Sequence, residues 1–422
     1  MFDCAPVGDY LVSVNDRTLK IISLLRYLVI FTAMASLALF FYQCIRNINK
    51  FDTIDLTSYI RASDCFFNGG NPYVAESRRY IYPLFLLLIV WPFQLLMSGA
   101  ALKGLSAAIW SLGLCLSFSF ALTGCWKYLY GDRSHIEALK RHFLPLCLIV
   151  VMLHPSFQDE FLNGQVNLFV LGGTVAFFLL IDRNKMFWGA LFLAAAASIK
   201  ISPGLCLLLP LLMRQYRTVF YFFPLMALFT VVIPWLVNPH SLDYYRYFVS
   251  DVMPAITGSD FEGGFKSFSI LSTLSYIFHI AWYPPLKIAV VCAIAAMLCA
   301  PIILYGRKKG TRENKWGRFV TFAAIVTVIP LTFPMSEAHH LLLLVVPYIA
   351  IVAHWQNVIE SGKSLFHDSL ALLFILCIVG LHIGHGLKDT PIRLFSLIGI
   401  YVGMILLLKG PACIVRGYRQ RA

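Results

Sequence analysis

The sequence predicts an all-α protein that crosses a membrane many times. Hydrophobic residues make up 59% of its 422 residues and charged residues only 13%, and the mean hydropathy is +0.75. Apolar stretches close to the length of a bilayer crossing recur along the whole chain. The longest polar segments, 46–80 and 238–266, are too short for a separate soluble domain. We therefore expect one transmembrane domain over residues 1–422 with two substantial external loops.

Hydropathy divides the chain into about 11–13 transmembrane or re-entrant helices. The first apolar span is typical of a retained transmembrane helix rather than of a cleaved signal peptide. The second, 81–97, is short. Residues 126–142 are basic and are expected on the cytoplasmic side, so 81–125 must make an odd number of crossings, which favours a partial or re-entrant helix at 81–97. The candidate spans are 22–44, 81–97, 104–125, 143–156, 165–182, 186–213, 219–237, 285–306, 319–334, 339–355, 369–386 and 394–411.

The net charge of +13 is concentrated in short loops between the apolar spans. Such loops lie on the cytoplasmic side of multi-pass proteins, which argues against nucleic-acid binding and makes the lipid bilayer the main partner. The basic clusters lie at 183–185, 214–217, 307–318 and 416–421. The polar segments expected on the opposite, non-cytoplasmic side are 46–80, 157–165, 238–266 and 335–340.

The first polar segment provides a carboxylate at a membrane edge. Asp55 and Tyr59 are four residues apart and would share one face of a helix. A carboxylate beside a membrane cavity can take the proton of an acceptor hydroxyl and act as a general base. The alternative is an acid at a helix start, where it complements the helix dipole.

A cation interrupts the apolar stretch 186–213. Lys200 stands just before Pro203, which breaks a helix because it lacks an amide hydrogen. Two half-helices should therefore meet near Lys200, and broken helices in membranes border cavities. Lys200 would then bind an anion, most naturally a lipid phosphate, or pair with an internal acid such as Asp159 or Glu160.

Two further polar motifs belong to the same side of the membrane. Gln165 and Asn167 open an apolar span, where side-chain amides satisfy free backbone donors or bind a polar ligand. His339 and His340 follow Glu337 between two apolar spans, and a histidine can bond a phosphate or a hydroxyl near neutral pH. Adjacent histidines point in different directions on a helix, so we expect at most one of them to face the site.

Neither the cysteines nor the acids predict a metal site. The eleven cysteines show no metal-ligand spacing and no disulfide framework. Asp52 and Asp55 are two acids without further clustered ligands, which is a weak signal for a cation. We expect chemistry without a metal.

Together these residues resemble glycosyltransferase family 87, in the GT-C superfamily of polytopic membrane enzymes. The resemblance covers about residues 50–345, with the motifs in the order of the family. Leu84 replaces a second proline of the pattern, Glu337 replaces a tryptophan, and Phe265-Lys266 replaces part of a Gly-Asn-Gln-Ser loop. The matching motifs are Asp55 with Tyr59, Gly69-Gly70-Asn71-Pro72-Tyr73, Tyr80-Ile81-Tyr82-Pro83, Gly164-Gln165-Val166-Asn167, Lys200-Ile201-Ser202-Pro203 and Pro334-Met335-Ser336-Glu337-Ala338-His339-His340.

The resemblance implies a GT-C-like helical bundle with hexosyltransferase activity, mannosyltransferase-like and inverting. The donor would be a polyprenyl-phosphate sugar and the acceptor a lipid or glycan, with no metal and no cofactor. The site would lie on the non-cytoplasmic face of the cell inner membrane, with both external loops contributing and Asp55 as catalytic base. The residues implied in substrate binding are Tyr59, Tyr82, Gln165, Asn167, Lys200, Lys266, His339 and His340.

Two alternatives would use the same residues differently. A transporter or flippase for a lipid-linked sugar needs cationic and aromatic groups but no bond formation. Such proteins often contain inverted repeats, and the sequence shows no convincing internal repeat. A scaffold without chemistry has no reason to gather Asp55, Lys200 and the two histidines at one level. A separation of these groups by more than about 10–15 Å, roughly one lipid-headgroup layer, would weaken both the transferase and the transporter hypotheses.

Overall fold

The computed structural model describes residues 54–74, 80–94, 100–131, 152–252, 269–278, 284–333, 338–361, 368–387 and 390–409, with a few single positions outside these ranges. Every regular element in them is a helix, and the predicted all-α, multi-pass membrane fold is confirmed. The helices are α1 (Ile54–Phe67), α2 (Phe85–Gln94), α3 (Ala100–Tyr130), α4 (Met152–Asn163), α5 (Asn167–Asp182), α6 (Met186–Ile199), α7 (Leu208–Leu212), α8 (Tyr216–Val237), α9 (Ser241–Tyr247), α10 (Ile270–Phe278), α11 (Pro284–Gly306), α12 (Lys309–Glu313), α13 (Lys315–Thr332), α14 (Val345–Glu360), α15 (Ser369–Gly386) and α16 (Ile392–Lys409).

Short helices of other types join or extend these elements. The 3-10 helices Ser202–Leu207 and Ala338–Leu344 lead directly into α7 and α14. A π-helical stretch, Leu228–Val232, lies within α8, and another, Phe248–Val252, follows α9. Departures of this kind from the α-helix are common where a helix is bent or borders a functional site.

Five helices of the described residues are long and apolar enough to cross a bilayer, and the bent pair α4–α5 would make a sixth. The five are α3, α8, α11, α16, and α14 together with its preceding 3-10 helix. The remaining predicted spans within the described ranges do not meet the combined criteria of length and apolarity as single helices. One of these is α2, which has 10 residues and contains Pro92. The predicted span 22–44 lies outside the described ranges, as does most of 143–156.

The predicted break at Lys200 is confirmed. Helix α6 ends at Ile199, and Lys200 has extended backbone angles, with φ −147° and ψ 122°. The chain resumes as a 3-10 helix at Ser202, with Pro203 in the first turn, where a missing N–H costs no hydrogen bond. The two half-helices therefore meet at a cation, as the sequence indicates.

The core is centred on α13, which is buried on all sides from Phe319 to Thr332. A helix that is apolar all round fits only inside a bundle. Its Phe322 stacks on Phe178 of α5 with ring centroids 4.5 Å apart. Helix α6 lies very close to α5, since a Cβ on Gly189 would stand 2.5 Å from Ile181 Cγ2. Small residues permit such close approach between membrane helices.

An ion pair fastens the bundle at its basic end. Arg318 Nε donates to Asp182 Oδ1 at 2.5 Å, and the hydroxyl of Tyr128 donates to the same oxygen at 3.0 Å. These contacts join the start of α13 to the ends of α5 and α3. Helix α5 has 16 residues, so its other end, at Asn167, is about 24 Å away at 1.5 Å per residue.

We expect Arg318→Met to lower the free energy of unfolding by about 3 kcal/mol, because it leaves the Asp182 carboxylate buried without its cation. The double variant Asp182→Asn/Arg318→Met should lose less, since no uncompensated charge remains. Thermal unfolding in detergent compares the variants. Equal losses for the single and the double variant would contradict this role of the ion pair.

Candidate functional site

Helix α1 carries Asp55 in its first turn and the buried Tyr59 one turn later. The helix ends in a Schellman motif, in which Gly70 N donates to Cys65 O at 2.8 Å and Gly69 has a positive φ of 81°. A Cβ on Gly70 would lie 2.5 Å from Cys65 Sγ, so a side chain there would require Cys65 to move. The Gly-Gly turn therefore terminates α1 and directs the chain back over it.

The second of the two predicted external loops holds α1 in place. Asn238 Nδ2 donates to Phe66 O at 2.8 Å, and the hydroxyl of Tyr244 donates to Gly69 O at 2.7 Å. Both bonds satisfy carbonyl groups at the end of α1 that have no partner within the helix. The described part of the 238–266 segment thus supports the helix that carries Asp55.

An aromatic cluster follows the turn. Tyr59, Tyr80 and Tyr82 pack edge to face or tilted, with the Tyr59 and Tyr82 ring centroids 5.3 Å apart. The hydroxyl of Tyr73 donates to Tyr82 O at 3.1 Å, and Leu84 N donates to the hydroxyl of Tyr245 at 3.2 Å. These bonds fix the backbone on both sides of Pro83, so the side chain of Tyr82 has a defined position beside α1.

Gln165 links this aromatic cluster to Asp55. Its Oε1 accepts hydrogen bonds from the hydroxyls of Tyr59, at 3.3 Å, and Tyr82, at 3.2 Å. Burial raises the pKa of Tyr59 well above its ordinary value, so this hydroxyl remains a donor. With Oε1 occupied, the amide nitrogen of Gln165 faces Asp55 and donates to Oδ2. The two tyrosines therefore determine that the amide presents a donor to the carboxylate.

The backbone before Gln165 explains its position. Gly164 has a φ of 68°, and Gln165 N donates to Glu160 O at 2.9 Å, which closes a Schellman turn at the end of α4. Helices α4 and α5 meet there at 118°. The glycine permits the left-handed conformation that this sharp bend requires.

Glu160 caps the helix that begins after this turn. Its carboxylate is fully buried, and it accepts bonds from Leu168 N at 3.0 Å and from Asn167 Nδ2 at 2.8 Å. A negative group at a helix start satisfies free N–H donors and complements the dipole. Sequence reasoning treated Glu160 only as a potential partner of Lys200. An acid placed shortly before the Gly164 turn and the start of α5 is the signal that could have revealed its capping role.

Lys200 lies on the other side of Asn167. Its Nζ donates to Asn167 Oδ1 at 2.8 Å, contacts His340 Nε2, and stands 5.9 Å from the centre of the Tyr82 ring. Asn167 thus separates Lys200 from Glu160 and bonds to both. Because an ammonium has no lone pair, His340 Nε2 must accept, which places the proton of the ring on Nδ1.

The two histidines have different polar partners. His340 contacts Lys200, while His339 donates from its ring Nδ1, at 2.7 Å, and from its backbone N, at 3.2 Å, to Asp159 Oδ2. The ring centroids are only 4.3 Å apart. The segment is a 3-10 helix that packs against α5 and α13, and its two rings reach Asp159 on α4 and Lys200 just after α6.

The structure therefore brings Asp55, Tyr59, Tyr82, Gln165, Asn167, Lys200, His339 and His340 into one polar cluster. Lys266, the remaining predicted substrate-binding residue, lies outside the described residues, and so does Asp52. Within the described ranges, no group of three or more histidine, cysteine or acidic side chains is arranged to hold a metal ion.

Exposure divides the cluster into two kinds of residue. Asp55, Lys200 and His340 are partly exposed, whereas Tyr59, Tyr82, Gln165, Asn167 and Glu160 are buried. Asp55, Lys200 and His340 are thus accessible, while His339 is buried like the residues that orient the other three. This arrangement is what a preorganised site requires.

Comparison with known proteins identifies the family of this chain. Residues 80–334, more than half of the chain, match the model of glycosyltransferase family 87. The chain belongs to this family. No curated protein sequence gives a significant match. The family match includes Tyr82, Gln165, Asn167 and Lys200, whereas Asp55, His339 and His340 lie outside it. Asp55 comes into contact with the matched residues because α1 packs against them.

The two tyrosines should act redundantly in this family 87 glycosyltransferase. Tyr59→Phe or Tyr82→Phe leaves one hydroxyl on Gln165, so each should slow sugar transfer by up to about fivefold, about 1 kcal/mol. In the double variant the amide of Gln165 can rotate. The fold decrease in its transfer rate should exceed the product of the two single fold decreases by about tenfold. Transfer rates of the four proteins provide the comparison. A fold decrease in the double variant equal to that product would contradict the role of the two tyrosines in orienting Gln165.

Proposed function

We propose that this membrane glycosyltransferase moves a hexose, mannose-like, from a polyprenyl-phosphate donor to a lipid-linked or glycan acceptor. One observation carries the proposal. A partly exposed carboxylate, Asp55, and a partly exposed cation, Lys200, belong to one cluster and are held there by buried amides. Glycosyl transfer from a phosphate needs a base for the acceptor and a cation for the leaving group.

The reaction would be a single displacement with inversion. Asp55 takes the proton of the acceptor hydroxyl, whose oxygen then attacks the anomeric carbon of the sugar. The bond between the anomeric carbon and the phosphate oxygen breaks, and polyprenyl phosphate leaves with the electron pair. The new glycosidic bond lies on the opposite face of the sugar ring, and the proton remains on Asp55 until it passes to solvent.

Asp55 suits the role of base because of its contact with Gln165. The amide N–H donates to the carboxylate, which favours the ionised form and orients one oxygen. The hydroxyl of Tyr82 bonds to the same amide and its ring lies near Lys200, so Tyr82 bridges the two halves of the cluster. A sugar bound against Tyr82 would have the base on one side and the cation on the other.

Lys200 and His340 would offset the charge that develops on the departing phosphate. Lys200 supplies a full positive charge, and His340 supplies a ring N–H at Nδ1. Preorganised groups of this kind can stabilise a leaving group as a metal ion does in other enzymes, and we propose a metal-independent reaction. Lys266 is a further candidate cation through its place in the family pattern.

The polarity of the bundle supports a site on the non-cytoplasmic face. Lys200 and Asn167 lie at one end of α6 and α5, and the basic segment 183–185 lies at the other. By the positive-inside rule we expect the basic end to face the cytoplasm, which favours a cluster on the outer side of the cell inner membrane. A lipid-linked donor and acceptor would reach it from the bilayer.

The alternative of a transporter or flippase for a lipid-linked sugar receives less support. Membership of a glycosyltransferase family favours bond formation. An oriented carboxylate next to the cationic part of the cluster also has a use in transfer that it lacks in transport. The choice of mannose as the sugar rests on the family resemblance.

Asp55→Asn should abolish transfer, with a loss of about 10²–10⁴-fold, because the amide cannot accept the proton of the acceptor. Asp64→Asn is the matched control, since it makes the same change at an exposed position of α1. The assay measures the passage of label from radioactive polyprenyl-phosphate mannose into lipid extract. Full activity of Asp55→Asn would rule out Asp55 as the base.

The orientation of the protein can be measured by cysteine labelling in intact cells. Val74, which is 59% exposed, follows the turn after α1, and Lys309 begins α12 in the basic segment. A membrane-impermeant maleimide should label Val74→Cys in intact spheroplasts and Lys309→Cys only after lysis, each measured above the wild-type protein. The reverse pattern would place the site on the cytoplasmic face.

A further inference from the structure

Glu160 is the buried charge of the cluster that the proposed reaction does not use. Its carboxylate is fully shielded from solvent and has two donors, Leu168 N on one oxygen and Asn167 Nδ2 on the other. Burying a carboxylate is costly, and this acid is placed next to the residue that holds Lys200. Helix capping explains only the first of its two hydrogen bonds.

The second hydrogen bond sets the direction of the Asn167 amide. An amide has a donor end and an acceptor end, and a carboxylate can only accept. With Glu160 on one side, Asn167 must turn its NH₂ group toward Glu160 and its Oδ1 toward Lys200. The ammonium of Lys200 in turn can only donate. Each contact in the series from Glu160 through Asn167 and Lys200 to His340 Nε2 therefore has a fixed direction.

We propose that Glu160 is a positioning residue that fixes the polarity of the Asn167 amide and thereby holds Lys200 where it meets the phosphate of the donor. The inference deepens the proposed function and rests on it for the identity of the anion. Glu160 itself touches neither substrate nor reacting atoms. It acts through Asn167, which is only 1% exposed and is therefore shielded from solvent.

Glu160→Gln separates capping from positioning. A glutamine can still accept from Leu168 N through Oε1, so the cap is preserved. Its NH₂ group would then meet the NH₂ group of Asn167, donor against donor. Asn167 can relieve this only by turning its amide, and that turn presents NH₂ to the ammonium of Lys200. The variant should therefore leave α5 intact and displace Lys200.

A second substitution should restore the original pattern. In the double variant Glu160→Gln/Asn167→Asp, the NH₂ group of the introduced glutamine would donate to one oxygen of the introduced aspartate, and the other oxygen would accept from Lys200. The total charge of the cluster is the same as in the wild-type protein, because the carboxylate has only moved from position 160 to position 167. The double variant thus tests the direction of the hydrogen bonds without a change in the net charge of the cluster.

The experiment uses the full-length protein in detergent and two readouts. Reductive methylation with labelled formaldehyde, followed by peptide mass spectrometry, reports the reactivity of Lys200. Lys309, whose side chain is 80% exposed, serves as the internal reference. The second readout is kcat/KM for polyprenyl-phosphate mannose. Asp159→Asn is the matched control, since Asp159 holds His339 rather than Asn167.

Glu160→Gln should lower kcat/KM by about tenfold or more, as expected for a lost hydrogen bond to a charged group. It should also raise the labelling of Lys200 relative to Lys309, by about tenfold for each 1.4 kcal/mol of ammonium stabilisation lost. The double variant should return both values toward those of the wild-type protein. Asp159→Asn should leave the labelling ratio of Lys200 unchanged.

The inference would be overturned if the labelling ratio of Lys200 to Lys309 were unchanged in Glu160→Gln. It would also be overturned if the labelling ratio and kcat/KM of the double variant were no closer to the wild-type values than those of the single variant. If Glu160→Gln fails to accumulate, the double variant decides: wild-type labelling supports the inference, and a second failure to fold overturns it. If the wild-type protein transfers nothing from polyprenyl-phosphate sugar while the labelling follows the expected pattern, the proposed donor is wrong and the positioning of Lys200 by Glu160 stands.

Discussion

The hydrogen bonds of two buried amides, Gln165 and Asn167, are the constraint on which the site depends. A buried polar group without a partner is costly, so each end of each amide must meet a complementary group. Gln165 receives two tyrosine hydroxyls and therefore donates to Asp55. Asn167 donates to Glu160 and therefore accepts from Lys200. Gln165 and Asn167, which belong to one turn, thus hydrogen-bond to groups of opposite charge, Gln165 to a carboxylate and Asn167 to an ammonium.

This arrangement keeps the carboxylate and the cation in one cluster while holding them on different partners. Gln165 bonds to Asp55 and Asn167 bonds to Lys200, and Tyr82 connects the two parts through its hydroxyl on Gln165 and its ring near Lys200. Because the supporting residues are buried and hydrogen-bonded, the positions of the two charges are set before a ligand binds, which is what electrostatic preorganisation requires.

The helices supply the rigidity that the cluster needs. The turn at Gly164 bends α4 against α5 and places both amides at the start of a helix. The break after Ile199 brings Lys200 to the same level from α6. At the opposite end the Asp182–Arg318 pair ties α5 to α13, so the helix that carries Asn167 is fixed at both ends. The functional end of the bundle is therefore as constrained as its packed centre.

Hydropathy and local chemistry in the sequence determined the all-α membrane fold, the break near Pro203 and most residues of the cluster, because these depend on composition and near neighbours. Only the tertiary structure decided which groups meet. Gln165 bonds to Asp55 across 110 residues, Lys200 contacts His340 across 140 residues, and His339 bonds to Asp159 across 180 residues. Such contacts depend on how helices distant in sequence pack together, and no periodicity within one segment encodes them.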